Sequence, residues 1–132
     1  MFDQFEWHHL PALISAFACT AGVIWPTTSP RRSLLAFGFP ARVADSPAAA
    51  PVMVIAQART TTVGVAMLVF YSRGQMEAVD TLLATYSIVA GFFDSYTLWG
   101  QGETRKALYR LTAAGVFGAC GLAGVTARRQ LV

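Results

Sequence analysis

Apolar residues run in four long stretches along this chain, and polar residues gather between them. The stretches are His8–Trp25, Val52–Tyr71, Val79–Trp99 and Ala107–Thr126. Each approaches the ~20 residues, within a range of ~17–25, that a helix needs to cross a hydrocarbon core. None alternates with period two, and all are too long for strands. Pro11 falls in the first turn of the first stretch, where proline is tolerated. The pattern predicts an all-α fold: one transmembrane domain over residues 1–132, an integral membrane four-helix bundle. A soluble bundle would need a polar face on every helix. The fourth stretch, ALYRLTAAGVFGACGLAGVT, lacks one beyond Arg110.

The connections differ in length. Pro26–Pro51 is read as one long loop holding five of the six prolines. Loops beyond about 12–15 residues are uncommon and often functional. The other two, near Ser72–Ala78 and Gly100–Lys106, are short and contain glycine, which suits helical hairpins. No internal repeat is visible.

Composition strengthens the membrane reading. Hydrophobic residues make up 55% of the chain, and only 13% is charged, about half of the ~25% usual in soluble domains. Mean hydropathy is +0.47. So few charges cannot cover a small water-soluble fold, which buries only roughly two-thirds of its surface. A net charge of +3 without a basic stripe argues against a nucleic-acid partner. The first nine residues carry Asp3 and Glu6 but no Lys or Arg, so a cleaved signal is not expected there. Cys19 and Cys120 both fall inside predicted spans and read as small packing residues. Six basic residues flank the first and third connections (Arg31, Arg32, Arg42, Arg105, Lys106 and Arg110). Three lie on the opposite side (Arg73, Arg128 and Arg129). The positive-inside rule then puts the long loop in the cytosol.

Ionisable groups inside a span are costly and usually face the bundle interior. Arg59 and Asp94 are the two. Counted from the same membrane face, Arg59 lies about 10 Å deep and Asp94 about 7–8 Å, which predicts an Arg59–Asp94 contact. Gln57 shares that layer, and Gln57, Thr61 and Gly64 fall on one helical face. Asp80, Ser87 and Asp94 recur every seven residues and form one polar stripe. Arg110 and Tyr109 lie one turn into the fourth helix at the same face. The long loop, with Arg42 and Asp45, is placed to fold over this layer as a lid. A buried Arg–Asp pair is equally a device that fixes helix register.

A second polar group gathers at the opposite face: Glu6, His8 and His9, with Asp80 and Glu77 nearby. Glu6 and His9 stand three residues apart and pair if the helix begins early. Histidine serves acid–base chemistry near neutral pH, but beside Trp7 these residues equally suit an interfacial role. They lack the spacing of a metal site. In the fourth helix Gly115, Gly118, Gly121 and Gly124 recur every three residues, a small-residue face suited to close helix packing or a homo-oligomer. No phosphate loop, dinucleotide fingerprint, nucleophile elbow or zinc signature occurs. Any chemistry is therefore expected to come from side chains, without a cofactor or metal.

The string FGFP at Phe37–Pro40, followed by ADSPAAAPVMVIAQARTT ending at Thr61, resembles an uncharacterised family of small fungal and bacterial integral membrane proteins, domain of unknown function 4267. VDT at Val79–Thr81 and DSY at Asp94–Tyr96 extend the resemblance. It implies a four-span protein. Because fungal members can lie near secondary-metabolite genes, it also implies a role in processing hydrophobic natural products. It carries no established catalytic residues.

Together these readings lead to a membrane-embedded, cofactor-independent isomerase or cyclase acting on a lipophilic small molecule. Asp94 is the expected acid/base and Arg59 the stabiliser of negative charge. His8, His9 and Glu6 form a reserve catalytic set. Gln57, Tyr96, Thr61, Asp80 and Arg110 are the expected substrate contacts, and membrane lipid is an expected partner. The alternative is a non-catalytic subunit, chaperone or small-solute carrier in which the Arg–Asp layer is structural.

Overall fold

The computed structural model describes residues 4–128, so Asp3 and Arg129, counted above, lie outside it. Within that range the chain is all-α. A 3-10 turn at Trp7–His9 leads into α1 (Leu10–Ala21), α2 (Ile24–Thr28), α3 (Pro30–Phe37) and α4 (Ala41–Ala44). Three longer helices follow: α5 (Ala49–Ser72), α6 (Met76–Gly100) and α7 (Thr104–Leu122).

Three segments are long and apolar enough to cross a membrane: Trp7–Thr28, Ala49–Ser72 and Met76–Gly100. The fourth apolar stretch behaves differently from expectation. Its helix starts three residues early and takes in Arg105 and Lys106, so with Arg110 its first two turns are charged. It also stops at Leu122 rather than Thr126. The cause is local: Gly124 turns at φ +62°, and the Asp80 carboxylate accepts the N–H groups of Thr126 at 3.1 Å and Ala127 at 2.8 Å.

The first of these segments is interrupted between Ala21 and Ile24. Pro26 has no N–H to give to the Gly22 carbonyl, and its ring crowds that carbonyl. Thr61 of α5 repairs the break from outside. Its hydroxyl accepts the Val23 N–H at 3.2 Å and donates to the Cys19 carbonyl at 3.1 Å.

The expected 26-residue loop is largely helical. Its prolines start structure instead of preventing it: Pro30 is the first residue of α3, where its fixed φ helps, and Pro40 immediately precedes α4. Gly38, at φ +127°, ends α3. It lets Phe39 N–H return to the Leu34 carbonyl at 3.0 Å, a glycine-terminated helix end. Runs this short carry no readable period, which is why the composition suggested a loop.

The long helices pack as antiparallel neighbours. α6 and α7 share the most extensive contact, α1 and α5 the next, and α5 and α6 a lighter one. Small residues set the closeness. A Cβ added at Gly64 would stand 2.5 Å from the Thr20 backbone N of α1, and one at Gly121 would stand 2.5 Å from Ala84 N of α6. Of the glycines expected to form one face of α7, Gly118 and Gly121 press on α6, Gly115 meets open space, and Gly124 serves the terminal turn.

One buried cluster joins Ala12, Leu13, Ala16, Met67, Tyr71, Val79 and Leu83 at one end of the helices; Leu34, Ala44 and Met53 form a second near the other. The burial pattern is inverted relative to a water-soluble fold. Asp80, Ser87, Ser95 and His9 are buried, whereas Phe17, Ile55, Ile88, Phe92, Phe93 and Val116 are exposed.

Candidate functional site

Where α3 and α4 cross the ends of the long helices, they roof a cavity of about 700 Å³. Its apolar walls include Leu34, Phe37, Phe39, Val43 and Met53, and its polar groups include Asp94, Arg110, Gln57, Tyr86 and Thr60. Drug-sized ligands occupy cavities of about 300–1,000 Å³ with mainly apolar walls and a few converging polar groups. This cavity has that character.

The FGFP string builds the roof. Gly38 lets the chain reverse, so Phe37 and Phe39 stack with ring centres 5.3 Å apart. Arg110 rises from α7 to meet them. Its guanidinium carbon sits 3.6 Å above the Phe37 ring, and its Nε donates to the Phe37 carbonyl at 2.8 Å. One Arg110 Nη donates to Asp94 Oδ2 at 3.2 Å. The other Asp94 oxygen has no hydrogen-bond partner among the described residues. Asp94 thus presents one held oxygen and one free oxygen at the edge of an apolar cavity.

Tyr86 stands two turns before Asp94 on the same face of α6. Its hydroxyl donates to Thr60 Oγ1 at 3.2 Å, linking α6 to α5. Gln57, one turn before Thr61, lines the cavity and packs its amide on Gly22, where an added Cβ would stand 2.7 Å from Oε1. The connection does cover the cavity, through Phe37, Phe39 and Val43. Arg42 latches it to the end of α6, and Asp45 braces it from within. Arg42 donates to the backbone and side-chain oxygens of Gln101 at 3.0 Å each, and Arg31 meets Asp45 at 2.6 Å.

Several expected site residues stand elsewhere. Arg59 makes no contact with Asp94; it is exposed on the outer face of α5 and has no ion pair among the described residues. It lies about 15 Å from the start of α5, against about 9 Å for Asp94 from the end of α6; its azimuth also turns it away, and Arg110 takes the carboxylate. Tyr96 is 71% exposed and lies in an outer groove with Trp99 and Leu108. Thr61 is held by α1, bonding Cys19 and Val23, and does not line the cavity. Asp80 caps the segment after α7.

Glu6, His8 and His9 lie at the other end of the helices, with Asp80. Fourteen residues of α6 separate Asp80 from Asp94, about 21 Å at ~1.5 Å per residue, so this set does not join the cavity. Glu6 and His9 do pair, but through their backbones: the Glu6 carbonyl accepts the His9 N–H at 2.9 Å, and the His9 ring accepts the Glu6 N–H at 3.3 Å. His9 Nδ1 also meets the Tyr71 hydroxyl at 2.9 Å. Glu6 Oε2 lies 3.4 Å from His8 Nδ1.

Of the ten residues singled out from the sequence, the cavity gathers Asp94, Arg110 and Gln57. Tyr86, Thr60 and the two phenylalanines escaped notice. A signal existed for Tyr86, because Tyr86, Ala90, Asp94 and Thr97 recur at helical spacing along one face of α6.

Fold and site together describe an all-α protein with three helices able to span a membrane and a roofed, mainly apolar cavity. The family described as Domain of unknown function (DUF4267) matches residues 16–124, and the chain belongs to that family. No match was found among the curated proteins or the solved structures.

Proposed function

We propose that this protein is an integral membrane four-helix bundle whose cavity binds a lipophilic small molecule and isomerises or cyclises it by proton transfer. The observation that carries the proposal is the cavity itself: a drug-sized apolar space with a single carboxylate–guanidinium pair at its edge. The exposed apolar surface of the long helices supports lipid as the surrounding medium. So do the exposed tryptophans, Trp7 at one end and Trp25 and Trp99 at the other, where aromatic belts lie at membrane interfaces. The excess of basic residues beside α3, α4 and the start of α7 favours a cytosolic position for that end.

In this scheme the free Asp94 oxygen takes a proton from a carbon or hydroxyl of the substrate and returns it at a second position. No atoms are gained or lost, and no cofactor is required. The guanidinium N–H groups of Arg110 that remain after its bonds to Phe37 and Asp94 stabilise the anion formed between the two transfers. Gln57 and Tyr86 orient the substrate, and the phenylalanine roof keeps water away.

A non-catalytic reading has one specific observation in its favour. Arg110 ties α3, α6 and α7 together through Phe37 and Asp94, as a register lock would. The two readings part under one experiment. The protein is purified in detergent, its retained small molecules are extracted, and these are analysed by mass spectrometry after incubation in deuterium oxide. A proton-transfer enzyme introduces deuterium at carbon in a retained compound, and Asp94→Asn retains the compound but not the exchange. Retention without exchange in the native protein supports a carrier or chaperone. An empty protein whose Asp94→Asn form is unstable supports the lock.

A further inference from the structure

Resting on that reading of the cavity, we infer that a groove on the outer face of the α5–α6 seam is the cavity's membrane-side mouth. We further infer that Arg59 at this mouth receives the carboxylate of a lipophilic acid. The groove holds about 410 Å³ and is lined by Arg59, Val63, Leu82, Val89 and Phe93, together with Thr60, Tyr86 and Ala90. The last three also line the cavity. One wall, formed by Tyr86, Thr60 and Ala90, therefore divides the two spaces.

That wall is thin and polar at its centre. It is held across the helices by the Tyr86–Thr60 hydrogen bond at 3.2 Å. α5 meets α6 far less extensively than α7 does, so this seam is the looser of the two long-helix contacts that α6 makes. A neutral hydroxyl–hydroxyl bond is easily exchanged for a bond to an arriving ligand.

Arg59 decides the ligand class. It lies ten residues into α5, about 15 Å along a span, too deep for its head to reach water easily. A cation on an apolar surface at that depth is costly without a counter-charge. Among the described residues no carboxylate lies beside it: Asp94 is bonded to Arg110 on the far side of the wall, and Glu77 and Glu103 stand near the ends of their helices. Nor would a second copy bring an acidic residue to that depth on its exposed faces. A lipophilic acid supplies both the missing negative charge and a chain that fits the Val63, Leu82, Val89 and Phe93 surface. Arg59 outside and Arg110 inside then form two successive anion-binding groups along one path.

The test uses the whole chain in lipid nanodiscs with cis-parinaric acid, a fluorescent fatty acid, and its methyl ester as the neutral control. The native protein should bind the acid about tenfold more tightly than the ester, the size of one charge-assisted hydrogen bond. Arg59→Gln should erase that preference while ester binding stays unchanged. Tyr86→Phe, which keeps the ring and removes the latch, should speed association of the acid severalfold in stopped-flow measurements. Equal affinity for acid and ester in the native protein overturns the inference, as does an Arg59→Gln variant that keeps the preference. An unchanged association rate in Tyr86→Phe overturns the portal. So does an Arg59→Gln variant whose only change is a shift from dimer to monomer in native mass spectrometry. Val43→Trp separates this inference from the function it rests on, because Val43 lines the cavity and not the groove. Loss of ester binding in Val43→Trp, with Arg59→Gln silent, leaves the cavity standing and removes the mouth. Full binding in Val43→Trp with loss in Arg59→Gln leaves a surface site and removes the cavity.

Discussion

Arg110 reaches Asp94 at 3.2 Å while its Nε holds the Phe37 carbonyl at 2.8 Å. One side chain thereby joins two long helices to the segment that roofs the cavity. Each side chain of the pair is 30% exposed. Solvent screening therefore trims the ~3–5 kcal/mol typical of breaking a fully buried pair to about 1–3 kcal/mol. Arg110→Met should lose more stability than Asp94→Asn, because it also strands the Phe37 carbonyl and the stacked ring. The double variant should be less destabilised than the sum of the two. Unfolding in mixed micelles, arranged as a double-mutant cycle, measures that coupling. An additive result would mean that the pair has no energetic link and that Arg110 acts through Phe37 alone.

The glycines of α7 have unequal roles. A Cβ at Gly121 would stand 2.5 Å from Ala84 N and 2.6 Å from the Asp80 carbonyl, both backbone atoms that cannot move aside. Gly121→Ala should therefore push α7 away from α6 and cost about 1–3 kcal/mol, the range of overpacked cores. At Gly115 nothing lies within 4 Å. Gly115→Ala should be neutral or stabilising by up to about 1 kcal/mol, as expected when glycine is removed from a helix interior. Melting temperatures of the two variants, in one detergent, give the comparison. If an oligomer forms through α7, it must use the Gly115 side, and Gly115→Ala would then alter the oligomeric state without altering the fold.

Asp80 is buried and accepts two backbone N–H groups beyond the end of α7. Asp80→Ala leaves Thr126 and Ala127 without those partners, a cost of about 2 kcal/mol for two charge-assisted bonds partly replaced by water. The effect should stay local. Hydrogen exchange at Thr126 and Ala127 should accelerate by at least an order of magnitude, with the cavity end, some 14 residues away along α6, unchanged. Exchange that accelerates equally around Asp94 would show that the two ends unfold as one unit.

The limits of one-dimensional reading are visible in particular residues. The cores of α5 and α6 were legible because an uninterrupted apolar run has few alternatives, and the observed ends extend the expected ones by at most a few residues. Depth was legible only as far as the helix ends were: α5 begins at Ala49 instead of Val52, which puts Arg59 about 15 Å from its start against about 9 Å for Asp94 from the end of α6. Azimuth was not. The faces that Arg59 and Asp94 occupy depend on how α5 and α6 rotate, and that is set by Gly64 against α1 and Gly91 against α7. The same contacts bring Arg110, named only as a substrate contact, to the carboxylate. α3 and α4 escaped because a helix of eight residues or fewer shows no period. Tyr86 escaped because an aromatic residue inside an apolar span reads as packing until its hydroxyl is seen to meet Thr60.

Thr61 offers the sharpest separation between a structural and a substrate-binding role. Its hydroxyl accepts the Val23 N–H and donates to the Cys19 carbonyl, so it seals the break that Pro26 forces between α1 and α2. Thr61→Val keeps the shape but leaves the Val23 N–H unpaired and the Cys19 carbonyl with only the Gly22 N–H at 3.0 Å, which should cost about 1–3 kcal/mol. Thr61→Ser keeps the hydroxyl and should recover most of that loss. Because Thr61 does not line the cavity, neither variant should change the affinity for a retained small molecule once the protein is folded. Chemical unfolding read beside equilibrium binding of the extracted compound tests both halves. A Thr61→Val protein with native stability and weakened binding would restore the substrate contact that helical spacing alone suggested. A destabilised protein with native binding would assign Thr61 to the repair of the break between α1 and α2.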